Sequence, residues 1–195
     1  MVHQKYDIRL ERQSGHPLAV VQRRASQAEL PRVVPEACGA VWNVVRSQQI
    51  AGAGRHVAVY WDDQINLEVG VELATPFGGY GDVVGSTTPA GLVAATTHFG
   101  PYGQLHLASA AIRQWCRDNG YTLAGPNWEI YGHWQDAWNR DPTQICTDLF
   151  HLLVDDERSG SEQSEPYACC TKIKMSPLTA MCLWLLGTIV SLAGG

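Results

Sequence analysis

Apolar and polar residues alternate along several short segments of the chain, and this period of two predicts β-strands. In residues 67–73, aliphatic side chains take the odd-numbered positions, while Glu68 and Glu72 fall on the other face. Comparable segments predict further strands at 6–12, 17–24, 57–61, 91–99, 127–134 and 143–153. Ser14-Gly15 separates the first two of these strands, so we expect a turn to join them.

Two other segments repeat apolar residues at three- and four-residue steps, which predicts amphipathic helices. The first contains Cys38, Val41 and Val45. We place its start at Pro35, because proline suits the first turn of a helix, and we assign 26–34 to a loop. The second helix is expected to begin after Gly100-Pro101 and to end at Asn119-Gly120.

The order of these elements repeats, since each half of the chain predicts strand, helix, strand, strand. We therefore expect an α+β fold in which duplicated strand-helix-strand-strand halves form a curved antiparallel sheet. Two main helices would lie on one side of the sheet, with a central ligand groove where the halves meet. The connection at 75–90 is rich in glycine and proline and is long enough to cover a cleft.

The chain has 195 residues, of which 45% are hydrophobic and 17% charged, so it can bury a full core. We expect a folded domain at 1–154 and a flexible polar linker at 155–177. An apolar tail at 178–195 follows, and no charged residue occurs after Lys174. Two interpretations of this tail stay open: a membrane anchor, or a loosely packed extension of the domain.

The formal net charge is −5 and basic residues form no stripe, which argues against a direct nucleic-acid partner. The sequence shows no DNA-binding segment, so promoter contact would need a partner protein. The N-terminus lacks the apolar core of a signal peptide, and the cysteines form no CxxC motif, so we expect reduced thiols and a cytoplasmic location. The oligomeric state is open.

One segment, residues 125–134, sets a single acid among aromatic and imidazole side chains. If it is a strand, alternation sends Glu129 and Tyr131 to one face and Trp128 and Ile130 to the other. An acid beside a tyrosine on one sheet face can polarise or neutralise a small ligand. The alternative is an edge-strand glutamate that faces water.

Several motifs occur in an order that resembles a known family. They are His98-Phe-Gly-Pro-Tyr102, Ala124-Gly-Pro-Asn-Trp-Glu-Ile-Tyr131, Thr147-Asp-Leu-Phe-His-Leu-Leu153, Val57-Ala-Val-Tyr-Trp-Asp-Asp63 and Leu67-Glu-Val-Gly-Val71. Together they resemble the gyrase-inhibitor-like small-molecule-binding family, which includes effector-binding domains of AraC-type and multidrug-responsive MerR-type regulators. The likeness spans about residues 5–154. It implies the same duplicated fold, with a groove that binds organic, often cationic or aromatic, molecules.

The resemblance also implies roles for individual residues. Glu129 takes the place of the family's groove glutamate, and Tyr102 matches its Gly-Pro-Tyr position. The carboxylate would pair with a cation while aromatic faces hold its apolar body, and a cation-π contact contributes roughly 0.5–2 kcal/mol.

Further wall candidates come from position along the predicted strands and loops. Tyr60 and Trp61 point to opposite faces of one strand, so at most one of them faces the groove. Tyr131, His98, Phe77 and Tyr80 are the remaining candidates, the last two as a lid. The alternative for these residues is ordinary core packing, and for Phe77 and Tyr80 it is a mobile loop. No known metal-ligand spacing occurs, and we expect neither a metal nor another cofactor.

The pattern therefore predicts a stand-alone domain that binds a small hydrophobic molecule, cationic or neutral, for drug or toxin sensing or sequestration. A hydrolase that detoxifies reactive small molecules is the first alternative, with Glu129 as acid/base and Tyr102 donating to the leaving oxygen. Nucleophilic catalysis lacks support, because the chain has no Gly-x-Ser-x-Gly motif, but a hydrolase of this kind would need no nucleophile. A protein that modulates a larger enzyme such as gyrase is the other alternative.

Overall fold

The computed structural model describes residues 5–155, which form one sheet and two main helices. The strands are β1 (Arg9–Gln13), β2 (Pro17–Arg24), β3 (His56–Tyr60), β4 (Asn66–Glu72), β5 (Val84–Thr87), β6 (Gly91–Phe99), β7 (Leu123–Tyr131) and β8 (Cys146–Leu153). The helices are α1 (Leu30–Ser47) and α2 (Leu105–Asp118), and short 3-10 turns occur at Tyr102–Gln104, Asp136–Asn139 and Pro142–Gln144.

The eight strands pair in the order β1-β6-β8-β7-β3-β4-β2-β5, and every pairing is antiparallel. The halves β2-α1-β3-β4 and β6-α2-β7-β8 occupy mirrored places in this order, which confirms the predicted α+β duplication. They meet where β3 pairs with β7, and Ala58 lies opposite Glu129 there. Tyr60 and Tyr131, each two residues further along its own strand, occupy equivalent positions in the two halves.

The first two strands form as predicted, but they do not pair with each other. Strand β1 pairs with β6 and β2 pairs with β5, and one register runs through both pairings, from Arg9 opposite Ala95 to Val20 opposite Val84. His16 and Thr88 continue this register, because the Thr88 amide donates to the His16 carbonyl at 3.0 Å. Residues 9–20 and 84–95 therefore form one long ribbon that brings the two ends of the sheet together.

The curled sheet has a core on each face. On one face, α1 and α2 cover a core that includes Val41, Val69 and Ile112. The other face carries no main helix and is nevertheless buried, with Trp128 stacked on Phe150 at a ring separation of 5.1 Å. Strands from both ends of the sheet contribute to this second core, because the sheet curls over on itself.

Helix α1 begins at Leu30, so the predicted start at Pro35 is wrong. Pro31 takes the first-turn position, and the Glu29 carboxylate accepts hydrogen bonds from the backbone and hydroxyl of Ser26 ahead of the helix. Pro35 lies inside the helix, where it lacks one backbone donor. Burial of the side chains at 33 and 34 extends the helix through this position despite the missing hydrogen bond.

The connection at 75–90 contains strand β5, which the sequence pattern does not predict. This strand is only four residues long and pairs with β2 at the edge of the sheet. Gly85 permits a close approach here, since a Cβ atom at this position would lie 1.9 Å from the Phe77 carbonyl oxygen.

The predicted polar linker beyond Asp155 and the apolar tail at 178–195 lie outside the described residues. Within residues 5–155, no helix is both long and apolar enough to cross a bilayer. The question of a membrane anchor at 178–195 therefore stays a prediction from the sequence.

Candidate functional site

Glu129 lies on the face of the sheet that the two helices cover. Its neighbour at 131 packs into the core beneath the helices, whereas Trp128 and Ile130 belong to the core on the opposite face. Protein atoms surround the Glu129 carboxyl group deeply, yet the residue keeps partial exposure to solvent. The carboxyl group is therefore largely desolvated, although the residue is not sealed from solvent.

Two tyrosine hydroxyl groups meet at one oxygen of this carboxylate. Tyr131 donates to Oε2 at 2.7 Å, and Tyr60 donates to the same atom at 3.3 Å. Within residues 5–155, Oε1 accepts no hydrogen bond. The structure thus brings together the acid and tyrosine predicted from β7 with the tyrosine of β3, and it orients Tyr60, not Trp61, towards Glu129.

Burial governs the protonation of this cluster. Desolvation raises the pKa of Glu129, and the hydrogen bonds from Tyr131 and Tyr60 offset part of the rise because they favour the ionised form. Desolvation, followed by the nearby Glu129 charge, raises the pKa of both tyrosines well above the usual value of 10.0. Both tyrosines therefore keep their protons and act as donors at physiological pH.

No cation neutralises Glu129 among the residues that the structure describes. The partly buried Arg55 pairs with Glu72 and Asp148, both at 3.0 Å, and the other ion pairs in residues 5–155 lie at the exposed surface. A buried carboxylate without a counter-charge costs free energy on folding. A cationic ligand would supply the missing charge.

Two further side chains border the tyrosines. The Tyr102 ring packs edge-on against Tyr131 with 5.5 Å between ring centroids. From α1, the buried Cys38 lies close enough to Tyr60 and Tyr131 for their ionised forms to repel one another, and burial raises the pKa of its thiol to about 12. The thiol is therefore protonated and inert. Sequence patterns did not single out Cys38, because its spacing matches that of ordinary core residues.

The remaining predicted site residues lie elsewhere. His98 is completely buried on β6, with β8 between it and β7, and its Nδ1 shares a hydrogen bond of 2.9 Å with the Tyr6 hydroxyl group. Trp61 is 37% exposed at the end of β3. Phe77 packs against the helix-side core and Tyr80 is 54% exposed, both in the connection at the β5 edge of the sheet.

Two histidines, the partly buried His56 and the buried His151, connect the helices to the sheet. Trp42 of α1 donates a hydrogen bond to Nε2 of His56, and Ser109 of α2 lies 3.0 Å from Nε2 of His151. Burial lowers the pKa of each histidine to about 4. Both are neutral at pH 7, as the Trp42 contact requires, since an indole N–H can only donate.

The duplicated halves form an α+β domain, and an acid that makes no ion pair with residues 5–155 lies at their junction beneath two helices. The chain belongs to the GyrI-like family, because the model of the GyrI-like small molecule binding domain matches residues 8–150. No curated protein matches the chain.

Solved structures share this fold. The EcmrR C-terminal domain is 21% identical with a TM-score of 0.62, and the match covers 80% of this chain and 100% of that one. An EcmrR–DNA complex matches at 20% identity and a TM-score of 0.59, over 76% of this chain and 57% of the other. SAV2435 bound to tetraphenylphosphonium is 9% identical, with a TM-score of 0.56 and coverage of 79% and 98%.

Proposed function

We propose that this chain binds small hydrophobic organic cations beneath its two helices and takes part in sensing or sequestering drugs or toxins. Glu129 supplies the counter-charge, and Tyr60, Tyr131 and Tyr102 supply aromatic walls. The observation that carries the proposal is the deep, partly accessible Glu129 carboxylate, which forms no ion pair with residues 5–155.

The physical support is the cost of leaving this charge unpaired. Removing a carboxylate from water costs several kcal/mol, and a cation at the same depth recovers part of that cost. The aromatic rings add cation-π attraction of roughly 0.5–2 kcal/mol per contact. A structure of similar fold, that of SAV2435, is bound to tetraphenylphosphonium, a hydrophobic cation without hydrogen-bond donors.

Calorimetry with tetraphenylphosphonium and the neutral triphenylphosphine oxide tests this proposal. We expect Glu129→Gln to weaken binding of the cation by about tenfold or more, since that factor corresponds to about 1.4 kcal/mol, and to leave the neutral compound nearly unaffected. Glu36→Gln, at an exposed position of α1, is the matched control and should bind like the unchanged protein. Equal loss of both compounds in Glu129→Gln would contradict the role of charge.

A hydrolase is the second candidate function, and the direction of the Glu129 shift supports it, because burial raises the pKa of this carboxyl group towards the neutral range in which a general acid/base works best. In this case Tyr102 would donate to the leaving oxygen. Mass spectrometry of reactive small molecules incubated with the protein separates the two functions. Turnover that Glu129→Gln abolishes, with unchanged substrate affinity, would establish the hydrolase.

Modulation of a larger enzyme such as gyrase and a cytoplasmic location stay predictions from the sequence. A pull-down partner that survives Glu129→Gln would support the first, because an interaction surface does not depend on the buried carboxylate.

A further inference from the structure

The two oxygens of the Glu129 carboxylate differ in how many further hydrogen bonds they can accept. A carboxylate oxygen offers about two lone-pair positions, and the hydroxyl groups of Tyr131 and Tyr60 use both positions of Oε2. Oε1 accepts no hydrogen bond within residues 5–155. A group that binds this carboxylate therefore meets an oxygen that still has its full capacity to accept hydrogen bonds.

We propose that the group bound by Oε1 is an N–H of a protonated amine, so that the ligands of this site are hydrophobic primary, secondary or tertiary amines. This inference rests on the proposed function and names its ligand class. A cation without an N–H, such as a quaternary ammonium or a phosphonium, would leave Oε1 without a donor in a deep, poorly solvated position.

Two opposing effects decide whether the site binds a protonated amine or a quaternary ammonium ion more tightly. A protonated amine loses more hydration than a quaternary ammonium on entering an apolar site, so a site without a free acceptor favours the quaternary ion. A charge-assisted hydrogen bond is about twice as strong as a neutral one, and here it also satisfies a deeply placed acceptor. The order of affinity between the two kinds of cation therefore reports whether Oε1 binds the ligand.

The walls of the site agree with this ligand class. The described side chains beside Glu129 and its tyrosines include Tyr102 and Cys38, which are uncharged, so they neither form an ion pair with the carboxylate nor repel a cation. Their ring and thiol surfaces suit the hydrophobic part of an amphiphilic amine. The ammonium group would meet the carboxylate at the floor, with the apolar part lying towards α1 and Tyr102.

A matched pair of ligands tests the inference on the unchanged protein. The probes are N,N-dimethyl-3,3-diphenylpropylamine and its N-methyl quaternary salt, which both carry one positive charge at pH 7. We expect the tertiary amine to bind about tenfold tighter or more by calorimetry, as a charge-assisted hydrogen bond implies. In Glu129→Gln this preference should disappear, whereas Glu36→Gln should retain it.

The possible outcomes are distinguishable. If the quaternary salt binds as tightly as the amine or tighter, the inference is overturned and the proposed function stands. If neither cation binds, the proposed function fails with it. The corresponding neutral amide is the third probe, and binding of this amide as tight as that of the amine would show that Oε1 carries a proton and donates, which also overturns the inference.

Discussion

Tyr60 and Tyr131 occupy equivalent positions in the two halves, and their hydroxyl groups meet at the same oxygen of Glu129, at 3.3 and 2.7 Å. Two residues before these tyrosines the halves differ, because one half has Ala58 where the other has Glu129. A pair of symmetrically placed donors thus serves a single acid. The junction of the halves therefore carries one acid, and its second oxygen, Oε1, accepts no hydrogen bond from residues 5–155.

Replacing Glu129 by glutamine should stabilise the unliganded protein at neutral pH. Burial raises the Glu129 pKa, so its contribution to stability is present below the unfolded value, about 4.3, and is lost as pH rises through the native value. We expect Glu129→Gln to raise the melting temperature at pH 7 by roughly 2–4 °C, equivalent to about 1 kcal/mol.

The difference in melting temperature should vanish near pH 4, where the unchanged protein also carries a neutral side chain at 129. Glu36→Gln removes an exposed ion pair with Arg32 and should change stability by less than about 0.5 kcal/mol at either pH. A Glu129→Gln protein that is less stable than the unchanged one at pH 7 would show that the carboxylate stabilises the fold.

Removing either tyrosine hydroxyl should raise the Glu129 pKa further, because each hydrogen bond favours the ionised carboxylate. Tyr131→Phe should have the larger effect, since its hydrogen bond is the shorter one. We expect cation affinity at neutral pH to fall by about three- to tenfold, the worth of one such hydrogen bond. A ¹³C NMR titration of the carboxyl carbon measures the shift directly.

Tyr121→Phe is the control for these two variants, because the Tyr121 ring, which follows α2 in the chain, stacks on Trp115 at 5.3 Å and forms no hydrogen bond with Glu129. It should leave the carboxyl titration unchanged. A downward shift of the Glu129 pKa in Tyr131→Phe would contradict the donor role of the hydroxyl group.

Acid should unfold the protein partly through His56 and His151. Burial lowers the pKa of His56 and His151 to about 4, whereas an unfolded histidine titrates near 6.5, so stability is lost as pH falls below about 6.5. Each histidine should cost about 2 kcal/mol at pH 5. Urea denaturation at pH 7 and pH 5 measures the total loss in the free energy of unfolding.

His151→Gln should flatten this pH dependence, because glutamine can still accept from Ser109 but does not titrate. His16→Gln, at an exposed position, should leave the dependence as it is. Equal pH dependence in the His151→Gln and unchanged proteins would show that His151 contributes no acid sensitivity.

Gly70 in β4 should tolerate no side chain. A Cβ atom there would lie 1.8 Å from the Ala19 carbonyl oxygen, which belongs to the backbone of β2 and cannot rotate away. We expect Gly70→Ala to destabilise the fold by about 3 kcal/mol or more. At Gly78 no atom lies within 4 Å of an added Cβ. Gly78→Ala should therefore change the free energy of unfolding by less than about 0.5 kcal/mol, and urea denaturation measures both variants.

Local patterns in the sequence were sufficient to predict the strands that bury one face and the helices that bury one side. Strand β2 has the predicted bounds, and α2 begins and ends close to the predicted glycine and proline signals. The start of α1 and strand β5 escaped prediction because contacts from distant segments stabilise them. Burial extends α1 past Pro35, and pairing with β2 holds the four residues of β5.

The sequence alone determined the duplicated fold, the family and the face on which Glu129 lies, because periods of two and 3.6 residues and short motifs are local properties of the chain. Only the tertiary structure decided which groups surround that acid. Tyr60 lies 69 residues before Glu129, and the thiol at 38 reaches the tyrosines from a separate helix. Strand pairing and helix packing bring these groups together, and neither leaves a pattern within a single segment.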